Sequence, residues 1–112
     1  MNPEIKTKWI DALKMGRIGN EKFYQGFGGL HFEDYFCSIG VLCELYAQEK
    51  NLEWVKMEGT TYLAILGNHA HLPEEIRTWA GVDKKAEEQL ISLNDSSRKP
   101  FKFIADWIKT NL

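Results

Sequence analysis

The chain of 112 residues has only two cysteines, Cys37 and Cys43, and only three prolines. On one helix, thiols six residues apart lie roughly 9 Å apart along the axis and point to different sides. A disulfide needs Cα atoms within about 7 Å in the right orientation. A disulfide-stapled scaffold is therefore excluded, and two free thiols are expected. A basic surplus is also missing, since 14 Lys and Arg stand against 16 Asp and Glu for a net charge of −2. The basic residues are scattered, with short pairs such as Lys84-Lys85 and Arg98-Lys99. A nucleic-acid binder usually shows a dense basic stripe, so nucleic acid is not an expected partner. No segment approaches the ~18 apolar residues of a membrane span, and residues 1–6 lack the basic-then-apolar pattern of a secretory leader. A cytoplasmic protein with no membrane association is expected. Linkers, low-complexity segments and internal repeats are absent too, and the length is that of one domain.

What is present suffices for a core: 44% of the residues are hydrophobic and 12% aromatic. Ile5, Trp9, Ile10 and Leu13 recur at helical spacing and predict a first helix over 3–15, with Pro3 in its first turn and Gly16 at its stop. Residues 16–31 mix glycine with Phe23, Tyr24 and Phe27 and predict a loop, with a short strand near Leu30-His31-Phe32. Residues 36–50 predict a central helix that is apolar nearly all round, capped by Asp34. Its Gly40 costs roughly 1 kcal/mol relative to Ala in a helix interior, which implies a neighbouring element, the last helix or the sheet, at close range. β-branched and aromatic residues on either side of Glu58-Gly59 predict a β-hairpin over 52–66. Three further helices are expected: one opened by Pro73 and closed by Gly81, one over 84–94 capped by Asp83, and one opened by Pro100 with Phe101, Ile104, Ala105 and Ile108 on its apolar face. The sum is a single α+β domain of about five helices and a small antiparallel sheet.

Several segments resemble a family of small, largely uncharacterised proteins encoded by tailed phages, prophages and some bacteria. Trp9, Leu13 and Gly16 match its first helix, and Tyr24-Gln25-Gly26 matches its Tyr-Gln loop. Phe36 to Leu45 matches its Tyr-Cys-Cys-Leu-Gly-Val-Leu-Cys-Asp-Leu helix, with Ser38 in place of the second cysteine. Leu72 to Val82 matches a Leu-Pro-x-x-Val-x-x-Trp-x-Gly segment. Leu93-Asn94-Asp95 and then Phe101, Ile104, Ala105 and Ile108 match the close. The resemblance implies an accessory protein of phage or mobile-element origin in a bacterial cytoplasm, and it supplies no catalytic residue.

Three constellations suggest chemistry. Cys37 near a helix start, with Gln25 upstream and His69 or His71 downstream, has the order of a cysteine hydrolase: oxyanion donor, nucleophile, base. A buried core thiol is the competing reading. His69-Ala70-His71 places two imidazoles on one side of an extended segment, but no third ligand follows from the spacing, so no metal is expected. Gly26-Phe27-Gly28-Gly29 lacks the Lys-Ser/Thr of a phosphate loop, so no cofactor is expected. Phe23, Tyr24, Gln25 and Phe27 on that loop are instead material for a binding surface. The leading expectation is thus a non-enzymatic protein that binds a host protein, such as a defence or regulatory factor. Capture of a small nucleotide-like ligand and a cysteine-dependent hydrolase are the alternatives.

Overall fold

A computed structural model describes residues 1–112, an α+β domain with five helices and two small sheets. Helix α1 (Pro3–Met15) starts where the Asn2 side chain accepts from the N–H groups of Glu4 and Ile5, at 2.9 and 3.2 Å. It ends at Gly16 in the left-handed conformation. Strands β1 (Arg17–Ile18) and β2 (Glu21–Lys22) form a two-stranded ribbon. Then β3 (Tyr24–Gln25), β4 (His31–Phe32) and β5 (Tyr35–Phe36) lead into the central helix α2 (Ser38–Lys50). Strands β6 (Val55–Lys56) and β7 (Tyr62–Ala64) make the expected hairpin. Helices α3 (Glu74–Ala80), α4 (Lys84–Ile91) and α5 (Phe101–Asn111) follow, with a π-helical turn at Ser92–Ser96 after α4.

The larger sheet has the order β3-β5-β4-β7-β6. All its pairings are antiparallel except β3 with β5, which is parallel. Four strands thus fall in segments that read as loop or helix. Each is two residues long, too short for an alternating pattern to register.

The core gathers around α2. Trp9 of α1 is fully buried, and its indole N–H donates to the Ser38 carbonyl at 2.9 Å. From α5, Ile104, Ala105 and Ile108 close the core as the periodicity predicted. Gly40 sits where expected in principle, but against backbone: a Cβ there would overlap the carbonyl of Leu30, the residue that leads into β4. That carbonyl also accepts from the Cys37 N–H at 3.2 Å. The start of α2 differs from expectation as well. Cys37, not Asp34, is its N-cap residue, because Tyr35 and Phe36 are held in β5. The N–H of the first helical residue is answered from far along the chain, by the Asn94 side chain, which accepts from Ser38 at 3.2 Å.

Candidate binding site

The strand register sets the site. Tyr24 pairs with Tyr35, Tyr35 with Phe32, and Phe32 with Tyr62. Directly opposed residues share a face of the sheet, so four rings from β3, β5, β4 and β7 form one row. Their centroids are 6.0 Å apart for Tyr24–Tyr35, 5.1 Å for Phe32–Tyr35 and 5.2 Å for Phe32–Tyr62. The rings are at the separations aromatic pairs prefer, so they brace one another. Tyr24 is 60% exposed and Tyr35 39%. The glycine-rich loop runs beneath this row. A Cβ on Gly26 would lie 2.9 Å from the Tyr35 Cβ, and one on Gly29 would overlap the Tyr62 ring. These glycines let backbone lie against rings; they do not cradle a phosphate.

The opposite face of the sheet turns inward. His31 stacks on Phe36 at 3.7 Å and meets Trp54 edge-on at 4.9 Å. Burial lowers its pKa, against the raising effect of its bond to the Tyr35 carbonyl. Beside it a cavity of about 350 Å³ is lined by Glu21, Glu33, Asp34 and Glu44, with Lys22, His31 and Phe36 among the others.

Of the four loop residues expected to bind, the structure leaves one free. Tyr24 points outward. Phe23 is buried, edge-on to Phe36 at 5.5 Å and to Phe101 at 6.0 Å, and belongs to the core. Phe27 is half-buried, and the Arg98 guanidinium covers its ring at 4.5 Å. Gln25 faces inward, where its amide nitrogen donates to Asn94 Oδ1 at 3.1 Å and to the Lys99 carbonyl at 2.8 Å. The reason is the period of two in a strand: adjacent residues go to opposite faces, so a run of consecutive residues cannot form one surface. Sequence reasoning missed Phe32, Tyr35 and Tyr62. The signal for two of them was present, since Phe32-Glu33-Asp34-Tyr35 is a two-residue turn between ring-bearing positions.

The hydrolase constellation is not assembled. Cys37 is buried in the core, and desolvation pushes its thiol up to about 12, outweighing the Gly40 N–H that pulls the other way. First-turn N–H groups can lower a thiol at a helix start; here burial wins, as the core-thiol reading has it. Cys43 is likewise raised by burial. Gln25 is engaged with Asn94 and Lys99, so it offers no oxyanion donor. The two downstream histidines have different neighbours: the His69 ring lies 6.2 Å from Tyr62, and His71 Nδ1 lies 3.5 Å from the buried Glu87 carboxylate. They share no site, and the groups within hydrogen-bond reach of the Cys37 thiol are backbone N–H groups. Both thiols should therefore react slowly with an alkylating reagent in native buffer near pH ~8 and quickly in denaturant, because the thiolate is the reactive form. Fast native labelling of Cys37 alone would restore the hydrolase order.

A second concavity, of about 520 Å³, runs between α1 and α2, with Ile5, Met15, Leu45 and Trp79 among its apolar walls and Lys8, Arg17, Asp11 and Glu49 as its charged lining. No helix of the chain is long and apolar enough to cross a membrane. Neither a curated protein nor a solved structure matches the sequence. One family model spans residues 1–112, and the chain accordingly belongs to that family, the domain of unknown function DUF8296.

Proposed function

We propose that this protein acts by binding a protein of its bacterial host, without catalysis, as an accessory factor of phage or mobile-element origin working in the host cytoplasm. A defence or regulatory factor is the kind of target this reading implies. The observation that carries it is the row Tyr24–Tyr35–Phe32–Tyr62, presented on paired strands with Tyr24 and Tyr35 open to solvent. Tyrosines are enriched at interface centres, where one end of the ring is buried and the hydroxyl finds a partner. Rings fixed by their neighbours also lose little freedom on binding. The exposed rings of the row, Tyr24 and Tyr35, stand on the surface of the sheet, which suits a macromolecule better than a small ligand.

The test is a pulldown from bacterial lysate with the parent and the Tyr24→Ala/Tyr35→Ala double variant, with melting measured on both. The expected result is a protein retained by the parent and lost by the variant, at nearly equal melting temperatures. Truncating a central interface aromatic typically costs about 2 kcal/mol or more of binding. Equal retention by both proteins would remove the row from the interface. The second reading, capture of a small nucleotide-like ligand, rests on the groove between α1 and α2: Trp79 offers a ring for stacking, and Lys8 and Arg17, which make no ion pair within the chain, line it together with Asp11 and Glu49. A nucleotide that raises the melting temperature, and fails to do so after Arg17→Ala, would support that reading.

A further inference from the structure

The sheet end of the molecule is acidic in a way the net charge hides. Along residues 21–36 and 53–64 stand Glu21, Glu33, Asp34, Glu53 and Glu58, all exposed, against Lys22 and Lys56. None of the five carboxylates takes part in an ion pair within the chain; the four pairs that exist involve Asp106, Glu49 and Glu87. Glu33 and Asp34 form the turn that joins Phe32 to Tyr35, so they border the ring row directly. The same two residues also line the inner cavity of about 350 Å³ with Glu21, Glu44, His31 and Phe36. One acidic turn therefore separates an outer row of tyrosines from an inner acidic recess with an aromatic wall. Four carboxylates line the recess against the single ammonium of Lys22, and Arg17 and Lys22 stand in the hollow beside Tyr24.

We infer that this end of the sheet receives a cationic, arginine-rich segment of the partner protein, an inference that rests on the binding reading above. A guanidinium stacks on tyrosine faces and pairs with carboxylates through two parallel hydrogen bonds. Arginine is thus the side chain that uses both features at once: one can lie along Tyr24 and Tyr35 while the next enters the recess behind Glu33 and Asp34. His31 in the recess wall is not an obstacle, because its surroundings favour the neutral ring. Phosphate backbones are repelled by the same carboxylates, which removes nucleic acid as the occupant.

A fluorescently labelled oligoarginine peptide, titrated into the full chain at low and at physiological salt, tests this. Saturable binding is expected, weakening as salt rises because the carboxylates are exposed. Glu33→Gln/Asp34→Asn and Tyr24→Ala/Tyr35→Ala should each weaken it by about tenfold or more, while Glu88→Gln, on α4 and outside the sheet, should leave it unchanged. Equal weakening by all three variants would reduce the effect to general attraction and overturn the inference, as would tighter binding of a single-stranded oligonucleotide. Absence of peptide binding, beside a lysate protein still lost in the tyrosine variant, would overturn the arginine-rich partner and leave the binding reading standing.

Discussion

Gly40→Ala lowers folding stability by about 3 kcal/mol, at the upper end of what overpacking usually costs. Elsewhere in a helix the same change adds roughly 1 kcal/mol of stability, so the expected sign is opposite to the ordinary one. The new methyl group would occupy the place of the Leu30 carbonyl oxygen. A side chain in that position could rotate away. A carbonyl held by the Cys37 N–H, on the residue that feeds β4, can move only by shifting the sheet against α2. For a domain of this size the loss corresponds to a drop in melting temperature of roughly 10 °C. Thermal unfolding followed by far-UV circular dichroism checks it. A variant that melts at or above the parent temperature would show that α2 and β4 are not in backbone contact.

Asn94→Ala is expected to cost a similar amount, about 3–4 kcal/mol, for a different reason. Asn94 is 1% exposed, and its amide makes four hydrogen bonds. The oxygen accepts from the Ser38 N–H at 3.2 Å and from Gln25 at 3.1 Å; the nitrogen donates to the Gly26 carbonyl at 2.9 Å and to Asp95 at 2.8 Å. It therefore ties the start of α2, strand β3 with its glycine loop, and the π-helical turn to one point. Truncation leaves a buried N–H and a buried carbonyl without partners, at about 1–3 kcal/mol each. Asn94→Asp should fare no better, since it loses both donors and sets a carboxylate against Asp95. Gln25→Ala should cost only about 1 kcal/mol, because Gln25 is itself half-exposed and Asn94 Oδ1 keeps the Ser38 N–H. Chemical denaturation of the three variants gives the ranking. If Gln25→Ala proves as harmful as Asn94→Ala, the cap on α2 is not what Asn94 contributes.

These two residues show how far local reading carries. The bare backbone at Gly40 was legible, because a glycine inside an apolar helical run has no local justification. What it faces was not, since the contact with Leu30 depends on how β4 docks. Asn94 stands at the end of the helix expected over 84–94, beside Asp95, Ser96 and Ser97, where polar residues are normally solvated. Only the fold buries it and brings Ser38, 56 positions away, within hydrogen-bond distance. The aromatic row follows the same rule. Tyr24 was recognisable as a surface tyrosine, but its companions come from three other strands and are selected by register.

By itself, the sequence determined the five helices, the β6–β7 hairpin, the apolar faces of α1 and α5 and the two reduced cysteines. Each of these depends on residues within a few positions of one another, where periodicity, capping and turn preferences act. The tertiary structure alone decided the order of the five-stranded sheet, the inward turn of Phe23 and Gln25 and the assembly of the exposed tyrosines. Two-residue strands carry almost no local signal, and their pairing is set by whole faces packing against α2. A one-residue shift in register would exchange the inner and outer sets of side chains and dissolve the site.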